Sequence, residues 1–511
     1  VSSSTSTPSR LAAAKKSSEQ ARPRAGVVVA LANLLANLFR NPLVRRLAGL
    51  RPAHVGLLAA GIALAFVALR LIVAADGDIT RFVVAGDTFV ARSAAPGDPD
   101  PPHAFPGNGY DGQFYWRLAV DPAAWDVASH DGVAFDGAYR APRVGYPLVA
   151  WLASAGRPAL VAWTLVGVNV AAVGVVASGG SLIATRAGRS PVWGLAVAAA
   201  PGLVLALGRD LAEPVTVACL VGGIAALQHG RWGVATVAWS YAVLTREQAL
   251  LTVGAYAAWR LCAYAVDRRP GPAGRAPAPS AARSGPPSEP RADRLPAHPG
   301  ESTSIGGTDA RAESEARPAV APPGQPAATT QPPTEPGADR SPGGWVAAPP
   351  GRGDLPWLVP AAGFLVWQAI VWQSTGRLPL AAAGGANLVP PFSDMLPGLL
   401  GWARGELGRI HAAAPLQLAG TVALVVAAAR AARTVPRRDR FPVVALAVAT
   451  VAGTCLAASI WRDPSDMRHL VDVSVLSWVV LLLARADTPR WAVAVTAGVW
   501  VATATVRILA I

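Results

Sequence analysis

The stretch Ala53 to Ala75, AHVGLLAAGIALAFVALRLIVAA, decides the fold class. It lies between Arg51 and Asp76 and is almost wholly apolar, and its length falls within the roughly 17 to 25 residues that carry a helix across a bilayer. Comparable runs recur near 158–184, 190–208, 214–229, 231–245, 249–266, 355–374, 414–433, 440–461, 469–485 and 490–511. The chain of 511 residues is 52% hydrophobic and 15% charged. The ten-residue alternating segments of a membrane barrel are absent, while Ala, Leu and Val dominate the runs. The sequence therefore predicts an all-α, polytopic transmembrane helical bundle of about 11 spans. Two of the helices are short, which is tolerated where they line a protein-walled cavity, so a pocket opening outward is expected. The segment Tyr146–Ser154 is shorter still and is expected to lie along the membrane surface or cap the next helix.

The net charge of +14 does not point to nucleic acid, because Lys and Arg are not gathered on one soluble module with interleaved aromatics. They sit at helix ends and in flexible segments, where they set topology and attract anionic headgroups. Cys219, Cys262 and Cys455 lie inside apolar runs without metal-ligand spacing and read as small hydrophobes. No cleavable signal peptide is evident.

Topology follows from the basic residues. Residues 1–52 carry Arg10, Lys15, Lys16, Arg22, Arg24, Arg40, Arg45, Arg46 and Arg51 against Glu19, so this arm is expected in the cytoplasm. Its Gly26–Phe39 segment reads as an interfacial helix. The N-terminal transmembrane module, 53–266, then includes a long first outer loop, 76–145, with ten Asp and five Arg. Residues 267–354 are rich in Pro, Gly, Ala and Ser and read as a disordered cytoplasmic linker. A C-terminal transmembrane module, 355–511, completes the chain, with its end outside.

With this topology the outer face collects the polar loops: Arg209 to Glu213, Thr245 to Gln248, Gln373 to Pro415 and Arg462 to His469, beside the acidic 76–145 loop. Arginines at the outer ends of short helices are costly unless they pair with an acid or bind an anion. Local pairing, Arg209 with Glu213 or Arg462 with Asp466, is one reading of these loops. An anion site formed where three of them converge is the other, and phosphate is the obvious anion at a membrane surface.

The first outer loop holds Tyr110-Asp111-Gly112-Gln113-Phe114-Tyr115, then Arg117-Leu118-Ala119 and Asp121-Pro122, then Gly145-Tyr146-Pro147-Leu148. An Asp soon after the first helix, followed by many spans with polar outer loops, resembles the GT-C superfamily of membrane glycosyltransferases. That resemblance implies a polyprenyl-phosphate sugar donor and inverting transfer to a glycan, lipid or protein acceptor on the extracytoplasmic face of a bacterial plasma membrane. It assigns the general base to Asp111. It makes Arg246, Arg468 and His469 candidates to hold the phosphate, with Asp210, Glu213 and Glu247 orienting them or meeting sugar hydroxyls. Tyr110, Gln113, Tyr115 and Arg117 complete the expected substrate contacts, and Phe114 and Trp116 are further stacking candidates. Gly112 is expected to let the backbone turn beside Asp111. Many members pair acids closely in this loop, whereas Asp111 has no adjacent partner, so no cofactor is expected and a divalent metal is not indicated. Two other classes fit the composition. A transporter or flippase of an anionic solute or lipid-linked sugar would carry inverted repeats and charges within its spans. A non-catalytic envelope scaffold would use the linker for docking.

Overall fold

The computed structural model describes residues 49–90, 101–124, 129–130, 133–267, 351–382, 388–408, 413–462 and 464–509. The Gly26–Phe39 segment, most of the basic arm and all but the ends of the 267–354 linker lie outside the described residues. The described helices on both sides of the linker belong to one compact unit.

The described chain is almost wholly helical; its strands are two-residue pairs, Ala85–Gly86 with Ala104–Phe105 and Ser129–His130 with Val133–Ala134. Five helices are long and apolar enough to cross a membrane: Pro52–Val73, Pro158–Arg186, Leu355–Thr375, Ala414–Thr434 and Arg490–Leu509. The protein is a helical membrane protein. Proline opens many of its helices, at Pro52, Pro158, Pro201, Pro214, Pro356, Pro415 and Pro442. In the first turn its missing N–H has no intrahelical acceptor to lose, and its fixed φ favours the helix. Gly376 ends the Leu355–Thr375 helix in the left-handed region at φ 69°, its N–H closing on the carbonyl of Trp372.

The Pro158–Arg186 helix, 29 residues and so about 44 Å long, is the central element. It packs against both Pro52–Val73 and Glu213–Gln228. The first crossing is close because both helices offer glycine: a Cβ on Gly56 would meet Ser178 Oγ at 2.0 Å and the carbonyl of Gly174 at 2.7 Å. Any side chain there would force the backbones apart.

Several expected helices differ in detail. The 190–208 run is not one helix but a 3-10 turn at Pro191–Trp193 followed by Gly194–Ala198 and Pro201–Leu207. Pro201 removes a donor and pushes Ala200 to an extended ψ of 126°, which breaks the helix there. The 440–461 run stops at Thr454 and resumes as the short Ala458–Arg462 helix. Tyr146–Ser154 folds as the Gly145–Ala153 helix, packed on Gly112–Val120 and on the start of Pro158–Arg186. Its Tyr146 hydroxyl donates to the carbonyl of Leu165 at 2.9 Å and accepts from Asn169 at 2.8 Å.

The ends of the linker are held together. Asp354 receives Arg260 at 3.3 Å and the Tyr264 hydroxyl at 2.9 Å, and the Tyr256 hydroxyl donates to the carbonyl of Gly353 at 2.9 Å. The helix before the linker and the one after it are thus joined directly, whatever the intervening residues do.

Candidate functional site

Asp111 stands at the N-cap of the Gly112–Val120 helix, and its carboxylate makes no capping bond. The turn is pinned by Tyr110, whose N–H donates to the carbonyl of Val84 at 2.8 Å. Gly112 is required by close approach rather than by turn geometry. A Cβ there would lie 2.4 Å from the carbonyl oxygen of Val83 and 2.6 Å from that of Arg209. This contact brings the 209–213 turn beside the motif.

The carboxylate turns instead to two arginines. Arg140 Nη1 donates to Asp111 Oδ1 at 2.5 Å and Arg468 Nη2 to Oδ2 at 3.0 Å. Burial pushes this carboxyl up, but Arg468, Arg140 and Arg143 together hold it well below the usual carboxylate range. Asp111 is ionised and clamped.

Glu213, 1% exposed, opens the Glu213–Gln228 helix. It accepts from Arg246 and, at 3.5 Å, from Arg468 Nη1, so Arg468 bridges two acids from distant segments. Glu247 takes Arg143 bidentately, at 3.0 Å through Nε and 2.6 Å through Nη2. Burial raises the Glu247 carboxyl, yet the Arg143 charge and hydrogen bonds bring it down to about 2. Burial and the neighbouring Arg468 and Arg246 push the His469 imidazole well below its ordinary value, so it is neutral at neutral pH. In that form it would meet a phosphate as a neutral hydrogen-bond donor. Its backbone carbonyl accepts from Gln248 Nε2 at 3.0 Å, tying the 465–470 turn to the Arg246 loop.

The aromatics frame this cluster. Tyr110 lies beneath two guanidiniums, Arg209 at 4.3 Å and Arg468 at 4.8 Å from the ring centre. Tyr115 meets Tyr146 edge to face at 5.5 Å, and burial lifts its phenol to about 12, so it stays protonated. Phe114 and Trp116 are buried in packing, Phe114 against Phe89 at 5.3 Å and under Arg140 at 3.9 Å.

Eight of the sequence-derived residues thus converge: Tyr110, Asp111, Tyr115, Glu213, Arg246, Glu247, Arg468 and His469. Two do not. Gln113 is buried and bridges backbone, accepting from Gly86 N at 3.0 Å and donating to the carbonyl of Asn108 at 2.9 Å. Arg117, one turn on along the same face, is buried over Phe135 at 4.0 Å and donates to the carbonyl of Ala124 at 2.8 Å. Both brace the outer loop. Asp210 is adjacent but different: fully buried at φ 45°, both carboxylate oxygens lack a hydrogen-bond partner among the described residues. Burial pushes its carboxyl well above the usual range, against the pull of Arg70. Glu213, which one reading of the sequence paired locally with Arg209, reaches across to Arg246 and Arg468.

Sequence reasoning missed Arg140 and Arg143, and took Arg209 no further than its loop and a local pair with Glu213. The signal was available, since Arg140 and Arg143 are a pair three apart in an otherwise acidic loop, directly before an apolar segment. Four guanidiniums (Arg140, Arg143, Arg246, Arg468) pair with three carboxylates (Asp111, Glu213, Glu247), and Arg209 adds a fifth guanidinium over the Tyr110 ring. Arg468 Nε, Glu213 Oε2 and the Tyr110 hydroxyl are buried without hydrogen-bond partners among the described residues. Such groups are rare in native interiors and point to a polar ligand. Among the described residues no cluster of three His, Cys, Asp or Glu is arranged to hold a metal ion. No family model and no curated protein matches this chain.

Proposed function

We propose that this protein is a membrane glycosyltransferase of GT-C type, with about 11 spans, its N terminus cytoplasmic and its site on the extracytoplasmic face of a bacterial plasma membrane. It transfers a sugar from a polyprenyl-phosphate donor to an envelope acceptor. The observation that supports this reading is the ionic cluster: arginines and acids from five distant segments meet around Asp111, and the guanidiniums outnumber the carboxylates they pair with. A phosphate group offers further negative charge for guanidiniums gathered in this way.

In this mechanism the acceptor oxygen bonds to the anomeric carbon as the bond from that carbon to the phosphate oxygen breaks. The electron pair leaves with the phosphate, where Arg246 and Arg468 stabilise its growing charge. The acceptor proton passes to the Asp111 carboxylate, and a single displacement inverts the anomeric centre. Tyr110 holds Arg468 over its ring and Tyr115, buried against Tyr146, fixes the motif in place. Reconstituted protein given a labelled polyprenyl-phosphate sugar tests the reading. Transfer is expected, and Asp111→Asn should abolish it while leaving the fold intact; undiminished turnover in the variant would remove Asp111 from the chemistry.

The break at Ala200–Pro201 favours a second reading, a transporter of an anionic solute or lipid-linked sugar, because interrupted helices often line translocation sites. The same assay separates the two. Only the transferase forms a new glycosidic bond without a solute gradient.

A further inference from the structure

The clamp on Asp111 has a chemical cost for the reaction it is meant to run. A carboxylate that accepts a charged hydrogen bond on each oxygen has its basicity suppressed, so in the geometry seen here Asp111 is a poor proton acceptor. The groups facing it are Arg140 and Arg143 from the outer loop, Arg468 and His469 from the 465–470 turn, and Tyr115 from its own helix. Three of these are cations and Tyr115 holds its own proton, while the arginines beside His469 weaken its imidazole as a base.

The clamp is also built to be exchanged. Arg140 reaches Asp111 through one nitrogen, from the four-residue Gly137–Arg140 helix, and its side chain is 19% exposed. Arg468 divides its two Nη atoms between Asp111 and Glu213 while its buried Nε has no partner among the described residues. An entering phosphate oxygen would find a guanidinium with one unused donor and another at the edge of the site.

We propose that Asp111 doubles as a stand-in for the substrate's anion: the phosphodiester of the donor displaces its carboxylate from Arg140 and Arg468, and only then is Asp111 free to accept a proton. This rests on the glycosyltransferase reading for its consequence, which is ordered binding, donor before acceptor. The exchange itself is a statement about anion binding alone. The carboxylate and the phosphate compete for the same two guanidiniums, so removing the carboxylate's charge strengthens anion binding.

The test is equilibrium binding of a polyprenyl monophosphate, and separately of inorganic phosphate, to the full chain in nanodiscs of neutral phosphatidylcholine. Asp111→Asn and Asp111→Ser should each bind at least one of the two probes about tenfold more tightly than the wild type, the scale of one lost charge-assisted competitor. Arg140→Gln should weaken binding by a similar factor, with Arg140→Lys intermediate. Tightening for the lipid phosphate alone would show that the chain is needed to place the anion; tightening for both would show that the phosphate suffices. Unchanged or weaker binding of both probes in both Asp111 variants overturns the exchange. The outcome is separable from that of the transfer assay. Tighter binding without transfer from any carrier would sink the transferase reading and leave the exchange standing, and transfer with unaltered affinity would do the reverse.

Discussion

Glu213→Gln is the most direct probe of the ionic cluster. The carboxylate is 1% exposed and serves Arg246 and Arg468, each 11% exposed, so solvent screening offers little relief when its charge is removed. Deleting one partner of a buried pair costs about 3–5 kcal/mol, because the remaining charge stays desolvated. Two features place this site at the low end. Glutamine keeps an oxygen that can accept one hydrogen bond, and Arg468 retains Asp111 at 3.0 Å. The expected loss is about 3 kcal/mol, most of it on Arg246. Thermal unfolding in detergent can be followed, with Cys262→Ser and Cys455→Ser introduced throughout, by a thiol-reactive fluorophore that reports the release of Cys219 from its half-buried place in the Glu213–Gln228 helix. At about 2 °C per kcal/mol the Tm should fall by about 6 °C. The double variant Glu213→Gln/Arg246→Met should recover part of that loss, since it also removes the stranded charge, with a coupling of about 1–3 kcal/mol. A Glu213→Gln protein melting within about 1 °C of wild type would refute the reasoning. The pairs would then be a consequence of the fold and no support for it.

Glu247 titrates in a predictable window. Its carboxyl is lowered from 4.5 to about 2, so the stability it contributes is complete above its unfolded value and is lost as pH falls through its folded one. Between pH 5 and pH 2 the wild-type Tm should fall more steeply than that of Glu247→Gln; parallel curves would show that the Arg143 pair carries no net stabilisation. Gly112→Ala should fail to accumulate as folded protein, because its Cβ would strike two backbone oxygens that cannot move aside, whereas Gly222→Ala, with nothing within 4 Å, should express normally. Equal yields would mean that the 109–112 turn can shift away from the 209–213 turn.

Much of this was legible in the residues. The apolar runs gave the helical membrane class, and charges stranded at helix ends marked the loops that hold Glu213, Arg246, Glu247 and Arg468, whereas Asp111 came from the motif and the resemblance it carries. What escaped was any feature set by packing. Gln113 and Arg117 sit four apart in a polar motif and read as ligands, yet that spacing puts them on one helix face, and the fold turned it inward to brace the loop. Arg140 was passed over because an arginine in a solvated loop is ordinarily unremarked. Only the meeting of that loop with the 465–470 turn, more than 300 residues away, gives it a partner in common with Arg468. The break at Pro201 was readable in advance from the proline alone, but the apolar run around it masked the signal.

The two carboxylates that flank the Gly112 contact are driven apart by their surroundings. Asp111 faces three arginines and is held ionised, while Asp210 lies beside it in sequence-distant backbone, fully buried and without a hydrogen bond from any described group, and is driven toward its neutral form. Such divergence is how one site maintains distinct roles for chemically identical groups.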